Sequence, residues 1–469
     1  MNSQLRLVGR FTVGLCGLLL ASRANAGVYL QCPAPLLTQN ATGGACGQGP
    51  CTLDPKNPAL STDPGCKNPD DPSFFDTCKV KLDPVTGEPS GETTDPTVVC
   101  RSVTCGDGHV NMADGNDIFI FGFHDVTNAP ESKIMSSAYW FNPDDGTLTG
   151  SAEFSAPTLF AREGQRLYLT LTNTGFRERP DLTDAHTIHY HGFPNAGSVF
   201  DGEPMASFGI NLGSSLTYFY DNKNPGTYMW HCHVEAAEHM QMGMLGTLYI
   251  LPAQDGTSLT YQGRQYQKFA YDDCPTPGDA MCGSTGYDLT YFLQETGFDP
   301  VFHLADHTYQ KVNFANMNDT YTMFNGRGYP DTVNPGVLLN SENAPSQKLP
   351  ALPFQVDAQG NRTAIPIPHG QKLLLHVSSL ETEAFYTVTV LGIPMRIVGQ
   401  GAQLLRGPTG TNTSYATSSF TLSGGEGVDV LLDTTGVPPG TYFIYTTNLN
   451  RLSNGDEDYG GMMTEIVVI

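Results

Sequence analysis

The sequence predicts an all-β chain in which two β-sandwich domains follow a disulfide-rich loop module. The chain has 469 residues with 51 Gly, 33 Pro and only 15% charged residues, a composition that favours turn-rich β structure over long charged helices. Short apolar runs such as residues 167–171 and 428–432 recur between turn residues, as in β-sandwiches. Cysteines crowd between residues 32 and 105, which is typical of a loop-rich module held by disulfides.

Changes in composition along the chain predict its domain boundaries. Residues 27–108 are rich in Pro, Gly, Asp and Cys and show no periodic apolar pattern, whereas strand-like runs begin at about residue 117. No amphipathic helix of useful length is predicted. The predicted segments are a signal peptide (1–26), a Cys-rich module (27–108), a first β-sandwich (109–252), a linker (253–288) and a second β-sandwich (289–469).

The first 26 residues have the pattern of an export signal. Basic Arg6 and Arg10 precede an apolar stretch at 11–21, which is too short to span a bilayer. The Ala-Asn-Ala sequence at 24–26 then offers a small-residue cleavage site. We therefore expect a secreted or periplasmic protein, and no later apolar run is long enough to predict a membrane span.

The cysteine pattern agrees with export to an oxidising compartment. Cys274 and Cys282 flank a Pro/Gly-rich loop, and Cys232 stands alone. No spacing matches a zinc or haem signature. The N-terminal module holds an odd number of cysteines, so we expect one of them to be free or to pair elsewhere: Cys32, Cys46, Cys51, Cys66, Cys78, Cys100 and Cys105.

The charge of the chain excludes one class of partner. The formal net charge is −23 and the sequence pI is about 4.7. An acidic chain of this kind has no electrostatic footprint for nucleic acid or for an anionic membrane surface. We therefore expect no nucleic-acid partner.

Six of the twelve histidines fall into two short segments, 186–192 and 230–239. Each segment is interpreted as the end of a strand, along which side chains alternate between faces. This alternation sorts the potential metal ligands of both segments in the same way. One face would carry His186 and Cys232, and the other His189, His191, His231 and His233.

The first of these sets suits a blue-copper site, which needs one thiolate, two imidazoles and a weak axial thioether. His239 and Met244, on a predicted loop after Cys232, would complete the set. The five-residue step from His239 favours Met244 over Met240 and Met242 as the axial ligand. Zinc could use the same residues, and a buried cysteine beside solvated histidines is the plainer alternative.

Three motifs around these residues are similar to those of a multicopper oxidase domain. They are His-Tyr-His-Gly at 189–192, Phe-Asp-Gly-Glu-Pro at 200–204 and Pro-Gly-Thr-Tyr-Met-Trp-His-Cys-His at 225–233. In the second β unit, Phe-Asn-Gly-Arg-Gly at 324–328 and Gly-Glu-Gly-Val-Asp-Val at 425–430 resemble the copper-free second domain of laccases. The resemblance implies that both β-sandwiches are cupredoxin domains, the second without copper ligands.

The resemblance also implies a function for each ligand set. By position, the type 1 copper ligands would be His186, Cys232, His239 and Met244, the type 2 ligand would be His189, and the type 3 ligands would be His191, His231 and His233. Cys232 would carry electrons through His231 and His233 to this second copper site, where O2 is reduced. The implied electron donor is a small molecule or a metal ion.

The sequence departs from the family pattern in ways that keep other functions open. A trinuclear cluster takes eight histidines from two domains, and residues 446–450 of the second domain offer no ligand. A homo-oligomer is one way to bring copies together. His303 and His307 are candidates for further ligands, but they are expected to be solvated loop histidines. One alternative is an enzyme similar to copper nitrite reductases, which have an acidic residue at the position of His189 and no histidine at that of His233. The other is a type 1 electron carrier or copper-binding protein without enzymatic activity.

Overall fold

The computed structural model of this protein describes residues 31–34, 36–39, 79–81, 90–127, 134, 152–334, 338–339, 345–347 and 365–469. The predicted signal peptide and Cys46, Cys51, Cys66 and Cys78 lie outside these residues. The described part of the N-terminal module contains a short antiparallel pair, β1 (Thr38–Gln39) and β2 (Lys79–Val80). A disulfide joins Cys32 to Cys100, while Cys105 is a buried free thiol, which accounts for one unpaired cysteine of the module.

Two four-stranded sheets form the first sandwich. The outer sheet has the order β4-β3-β6-β8 and the inner sheet the order β5-β10-β9-β7. Apolar side chains such as Phe121, Leu169 and Trp230 fill the space between them. In chain order the strands are β3 (Val98–Asn111), β4 (Asp117–Asp125), β5 (Leu159–Arg162), β6 (Arg166–Asn173), β7 (His189–His191), β8 (Ser215–Asp221), β9 (Gly226–His231) and β10 (Leu245–Leu251).

The second sandwich pairs a seven-stranded sheet with a five-stranded one. The larger sheet has the order β16-β15-β20-β26-β22-β23 with β24 beside β22, and the smaller has the order β19-β28-β27-β21-β25. The larger sheet contains β15 (Leu289–Phe298), β16 (Tyr321–Phe324), β20 (Lys372–Ser379), β22 (Met395–Gln400), β23 (Gln403–Leu404), β24 (Tyr415–Thr417) and β26 (Glu426–Asp433). The smaller contains β19 (Ile365–Ile367), β21 (Tyr386–Val390), β25 (Ser419–Leu422), β27 (Gly440–Thr446) and β28 (Met463–Val468). Between the sandwich strands, β17 (Leu338–Leu339) pairs with β18 (Pro345–Gln347).

These strands confirm the predicted fold class and correct the boundary at residue 109. Strand β3 begins at Val98, pairs along its length with β4 and β6, and buries Val99 and Val103 in the core of the first sandwich. Polar residues interrupt the apolar alternation of β3, so the sequence pattern does not indicate a strand there. One of them, Arg101, is buried because it forms an ion pair with Asp125.

The predicted linker at 253–288 is packed against the second sandwich. It forms two hairpins, β11 (Leu259–Tyr261) with β12 (Arg264–Tyr266) and β13 (Lys268–Phe269) with β14 (Gly286–Tyr287). Tyr271 and Tyr287 join a core cluster with Leu374, and a disulfide links Cys274 to Cys282. This segment therefore contributes to the core of the second sandwich.

Helices are few and short in the part of the chain that the structure describes. They are α1 (Ala236–Gln241), α2 (Pro300–His307) and the 3-10 turns Ser198–Phe200, Phe314–Asn316, Asp331–Val333 and Leu449–Arg451. Helix α2 begins where Asp299 accepts hydrogen bonds from the backbone N–H groups of Val301 and Phe302 at 2.8 and 3.2 Å. Among the described residues, no helix has the length and apolar character that crossing a bilayer requires.

A buried polar cluster joins the two sandwiches. The Thr227 hydroxyl of β9 donates to Asp429 Oδ1 of β26 at 2.6 Å, and His376 Nδ1 of β20 lies 2.6 Å from the same oxygen. The Tyr271 hydroxyl donates to the other oxygen of Asp429. Because all four groups are buried, each depends on the others for hydrogen bonds.

We expect Asp429→Ala to lower the free energy of unfolding by about 3 to 5 kcal/mol, because it leaves buried partners without their carboxylate. Asp433→Ala is a matched control in the same strand, since Asp433 is 41% exposed and lies 3.9 Å from Lys372. The control should cost less than about 1 kcal/mol. Urea unfolding of both variants measures the difference, and equal losses would show that the cluster does not stabilise the contact between the sandwiches.

Candidate metal centre

Three buried side chains meet at one end of the first sandwich. Cys232 Sγ lies 3.2 Å from His239 Nδ1 and 3.8 Å from His186 Nδ1. The three ligand atoms all lie within 4.8 Å of one another. Their residues are no more than 1% exposed, so bulk solvent does not reach them. We name these three residues the thiol cluster.

Local backbone structure places these groups together. Strand β9 ends at His231, and the next residue, Cys232, donates its N–H to the Met244 carbonyl at 3.1 Å. This hydrogen bond brings the segment at Met244 back beside Cys232. The intervening segment is helix α1 and not the predicted loop. The chain turns into α1 at Glu235, which has a positive φ of 46°. Helix α1 then places the His239 ring beside the Cys232 thiol.

The methionines after His239 differ in location. Met244 and Met242 are both fully buried in the same apolar cluster as Cys232, whereas Met240 packs against a different cluster. The Met244 N–H also donates to the His239 carbonyl at 2.8 Å. The backbone thus connects Met244 to both His239 and Cys232, and the choice of Met244 as axial ligand stays a prediction.

The thiol cluster has the donor chemistry that copper requires. Metal bonds of about 2.1 Å to nitrogen and 2.3 Å to sulfur place these atoms about 3.4 to 3.8 Å apart, close to the two separations seen. Burial lowers the pKa of His239 to about 4, so its ring is neutral, and its Nε2 has no hydrogen-bond partner. Burial also raises the pKa of the Cys232 thiol to about 11, so a metal that binds there must displace a proton.

Four imidazoles lie on the opposite side of Cys232, and we name them the histidine face. In the β7–β9 pairing, His189 lies opposite His231. The centroid of the His189 ring lies 4.7 Å from the ring centroid of His233, 5.3 Å from that of His231 and 6.1 Å from that of His191. No three of these rings bring ligand atoms within 4.8 Å of one another. This spacing suits ligands shared among several ions better than ligands around a single ion.

Hydrogen bonds orient two rings of the histidine face. His189 Nδ1 donates to the Asp201 carbonyl at 2.7 Å, and His231 Nδ1 donates to the Cys232 carbonyl at 2.7 Å. Each bond leaves Nε2 available as a ligand, as in metal sites whose second ring nitrogen is held by a carbonyl. Burial lowers the pKa of His231 to about 3, which keeps this ring neutral.

The motif at 200–204 orients the His189 ring, a role that the spacing of the ligands in the sequence does not indicate. Gly202 has φ +78° and lies against β7, since a Cβ at this position would come within 2.0 Å of the Ile188 carbonyl oxygen. Only glycine fits such a position. This close approach allows the carbonyl of Asp201 to reach the His189 ring.

The remaining histidines of the described chain belong to no ligand group with either set. His303 is buried in helix α2, with Nδ1 2.6 Å from the Phe119 carbonyl and Nε2 2.9 Å from the Gln241 carbonyl. His307, at the end of α2, lies 3.0 Å from Glu178. The prediction of a solvated loop for these two residues is therefore wrong, because Asp299 and Pro300 start a helix there.

Comparisons with known proteins match two segments of the chain to one family. Two family models described as multicopper oxidase match residues 140–255 and 299–467, together more than half of the chain. Laccase-2 of Oryza sativa subsp. japonica is 28% identical over 29% of this chain and 23% of its own length. The iron transport multicopper oxidase FET3 of Kluyveromyces lactis is 32% identical over 28% of this chain and 20% of its own length. The matched segment thus spans only a fifth to a quarter of these relatives.

A solved structure shows the same fold. The blue copper oxidase of Nitrosomonas europaea aligns with a TM-score of 0.53 at 18% identity, over 78% of this chain and 85% of its own. Copper is the cofactor of the matched family, and the thiol cluster and histidine face have the ligand types that copper needs. The chain belongs to the multicopper oxidase family of copper-dependent oxidoreductases.

Proposed function

We propose that this protein oxidises a small-molecule or metal-ion reductant at a type 1 copper and reduces O2 at a second copper site. The type 1 ligands are His186, Cys232, His239 and Met244, and the second site uses His189, His191, His231 and His233. The observation that carries this proposal is that Cys232 belongs to the thiol cluster while both of its chain neighbours belong to the histidine face. Bound copper would supply the one-electron centre and the oxygen-reducing centre, which side chains alone do not provide.

The chain itself provides a short path between the two sites. The Cys232 side chain and the rings of His231 and His233 are joined by a few covalent bonds, and the His231 ring also donates to the Cys232 carbonyl. The His233 N–H donates to the Thr187 hydroxyl at 3.0 Å, which fixes the segment after β9 against the segment before β7. These bonds hold both ends of the path in place during electron transfer.

The thiol cluster is more deeply buried than the histidine face, as expected if oxygen and protons react only at the face. Cys232, His186 and His239 are buried, so the thiol cluster is shielded from bulk solvent. His191 is exposed and His233 is half-buried, so oxygen and protons can reach the histidine face. Gly425 of the second sandwich lies against His191, since a Cβ at this glycine would come within 2.4 Å of the ring. The second sandwich thus covers one edge of the face.

The histidine face offers half of the ligands of a trinuclear cluster, and we propose that a homo-oligomer brings further ligands to it.

We also propose that the protein is exported, by secretion or to a periplasm. The disulfides Cys32–Cys100 and Cys274–Cys282 support this, because such bonds persist in oxidising compartments.

Metal analysis combined with EPR spectroscopy of the copper-loaded protein tests the proposal. An oxidase should hold about four coppers per functional unit, a nitrite-reductase-like enzyme about two, and an electron carrier about one. We expect a type 1 signal together with signals from the second site. A single type 1 copper per chain, unchanged by excess copper, would contradict the proposed oxidase.

We expect Met244→Leu to keep the blue colour and raise the reduction potential of the type 1 copper, because an axial thioether binds weakly and mainly tunes the potential. Met242→Leu is the matched control, since both methionines are fully buried in the same cluster. Redox titration of the blue band measures the potential. A shift in the Met242 variant alone would identify Met242 as the axial ligand, and loss of copper from the Met244 variant would contradict a weak axial role.

A further inference from the structure

A third cluster of metal-ligand side chains shares no residue with the thiol cluster or the histidine face. Glu178 Oε2 lies 3.2 Å from His109 Nε2 and 3.0 Å from His307 Nε2. The ligand atoms of the three residues all lie within 4.8 Å of one another. The two rings are 5.4 Å apart at an angle of 79°, so both nitrogens point at one carboxylate from different directions.

These separations match the spacing of neighbouring ligands around one metal ion. With bonds of about 2.1 Å to imidazole nitrogen and carboxylate oxygen, adjacent ligand atoms lie about 3.0 Å apart at right angles and about 3.4 Å apart in a tetrahedron. The contacts of Glu178 with His109 and His307 span 3.0 to 3.2 Å. An ion that binds there replaces these hydrogen bonds, displaces protons from the rings and competes with the Arg177 guanidinium, which donates to Glu178 Oε1 at 3.0 Å.

The groups around the cluster hold its ligands in place. His109 Nδ1 lies 2.7 Å from the Asp117 carboxylate, the arrangement by which metal-binding histidines are oriented in many proteins. The His307 ring stacks on Phe119 with centroids 4.3 Å apart and an interplanar angle of 14°. The Glu178 N–H donates to Asp107 Oδ2 at 2.7 Å, which fixes its backbone to strand β3. Each ligand thus has its own support.

We propose that His109, Glu178 and His307 bind one divalent first-row transition-metal ion such as zinc or cobalt, with water completing its coordination. Two imidazoles and one carboxylate favour such ions over calcium or magnesium, which prefer oxygen ligands. The ion connects strand β3, the segment after β6 and the end of helix α2, which are 69 and 129 residues apart along the chain. The site needs no redox chemistry and does not depend on the proposed oxidase activity.

Zinc and cobalt titrations test this site in the full chain. A Cys232→Ser background is used so that the thiol cluster does not supply a cysteine ligand. We expect Glu178→Gln and His307→Asn each to lose one equivalent of zinc, measured by calorimetry, and to weaken its binding by at least about 100-fold, because even outer-shell partners contribute 10- to 100-fold. Titration with Co2+, followed by its absorption bands, should also show one equivalent less bound in these two variants.

The control variant is His124→Asn, because His124 Nδ1 also lies 2.7 Å from a carboxylate, that of Glu153, without a second imidazole among its ligand-distance neighbours. It should bind as much zinc as the parent. A second measurement is thermal unfolding, in which zinc at about 100 times its Kd should favour the folded state about 100-fold in the parent but not in Glu178→Gln. Equal zinc uptake and equal thermal shifts in all variants would show that the cluster is held by ion pairs and hydrogen bonds alone.

Discussion

Replacement of Cys232 by Ser should abolish the intense blue absorption and the narrow-hyperfine type 1 EPR signal of the copper-loaded protein. Both properties depend on the bond between copper and a cysteine thiolate, and a hydroxyl does not replace it. Cys232 is the thiol at the meeting point of His186 and His239, and no other cysteine is among the ligand groups of the described residues. The expected loss is therefore complete. Absorption and EPR spectra of the copper-loaded variant are the measurements.

Cys105→Ser is the matched control for this experiment. Cys105 is also a free thiol, is fully buried, and belongs to the same apolar cluster as Cys232. Its Sγ contacts the Thr172 carbonyl at 3.7 Å and belongs to none of the potential ligand groups of the described residues. The Cys105 variant should stay blue. A blue Cys232 variant, or a colourless Cys105 variant with intact folding, would show that Cys232 is not the copper ligand.

Strand alternation predicts how the ligands group, although β9 ends at His231, before Cys232 and His233, and β7 begins at His189, after His186. Because successive side chains point to opposite faces, the sequence around Cys232 separates His231 and His233 from the thiol, and the structure shows this separation. The same reasoning places His186 apart from His189. The roles of these residues as copper ligands stay predictions.

Other features depend on contacts that a local pattern does not contain. Helix α1 has only six residues, which is too short for an apolar period to appear in the sequence. Strand β3 carries Arg101 at a buried position, where it pairs with the distant Asp125 and donates to the Thr158 carbonyl. The cluster of His109, Glu178 and His307 joins three separate segments, so no spacing in the sequence indicates it.

The histidine face gives the second large expected effect. His189→Ala and His233→Ala should each keep the blue colour, because the ligands of the thiol cluster lie on the other side of Cys232. Both variants should hold less copper than the wild type. Their type 1 copper should accept an electron normally but reoxidise in air at least about 100-fold more slowly, since each substitution removes a ligand of the oxygen-reducing site. Such a separation of reduction from reoxidation is specific to an electron relay.

The experiment is to reduce each copper-loaded variant anaerobically, admit air and follow the recovery of the blue band. His191→Ala and His231→Ala complete the set, and His124→Ala is the control, because His124 pairs with Glu153 away from the face. A nitrite-reductase-like site would tolerate the loss of His233 but need His191. An electron carrier would tolerate the loss of all four face histidines. If the band recovers equally fast in the wild type and in all four variants, the histidine face does not reduce oxygen and the proposed oxidase function is wrong.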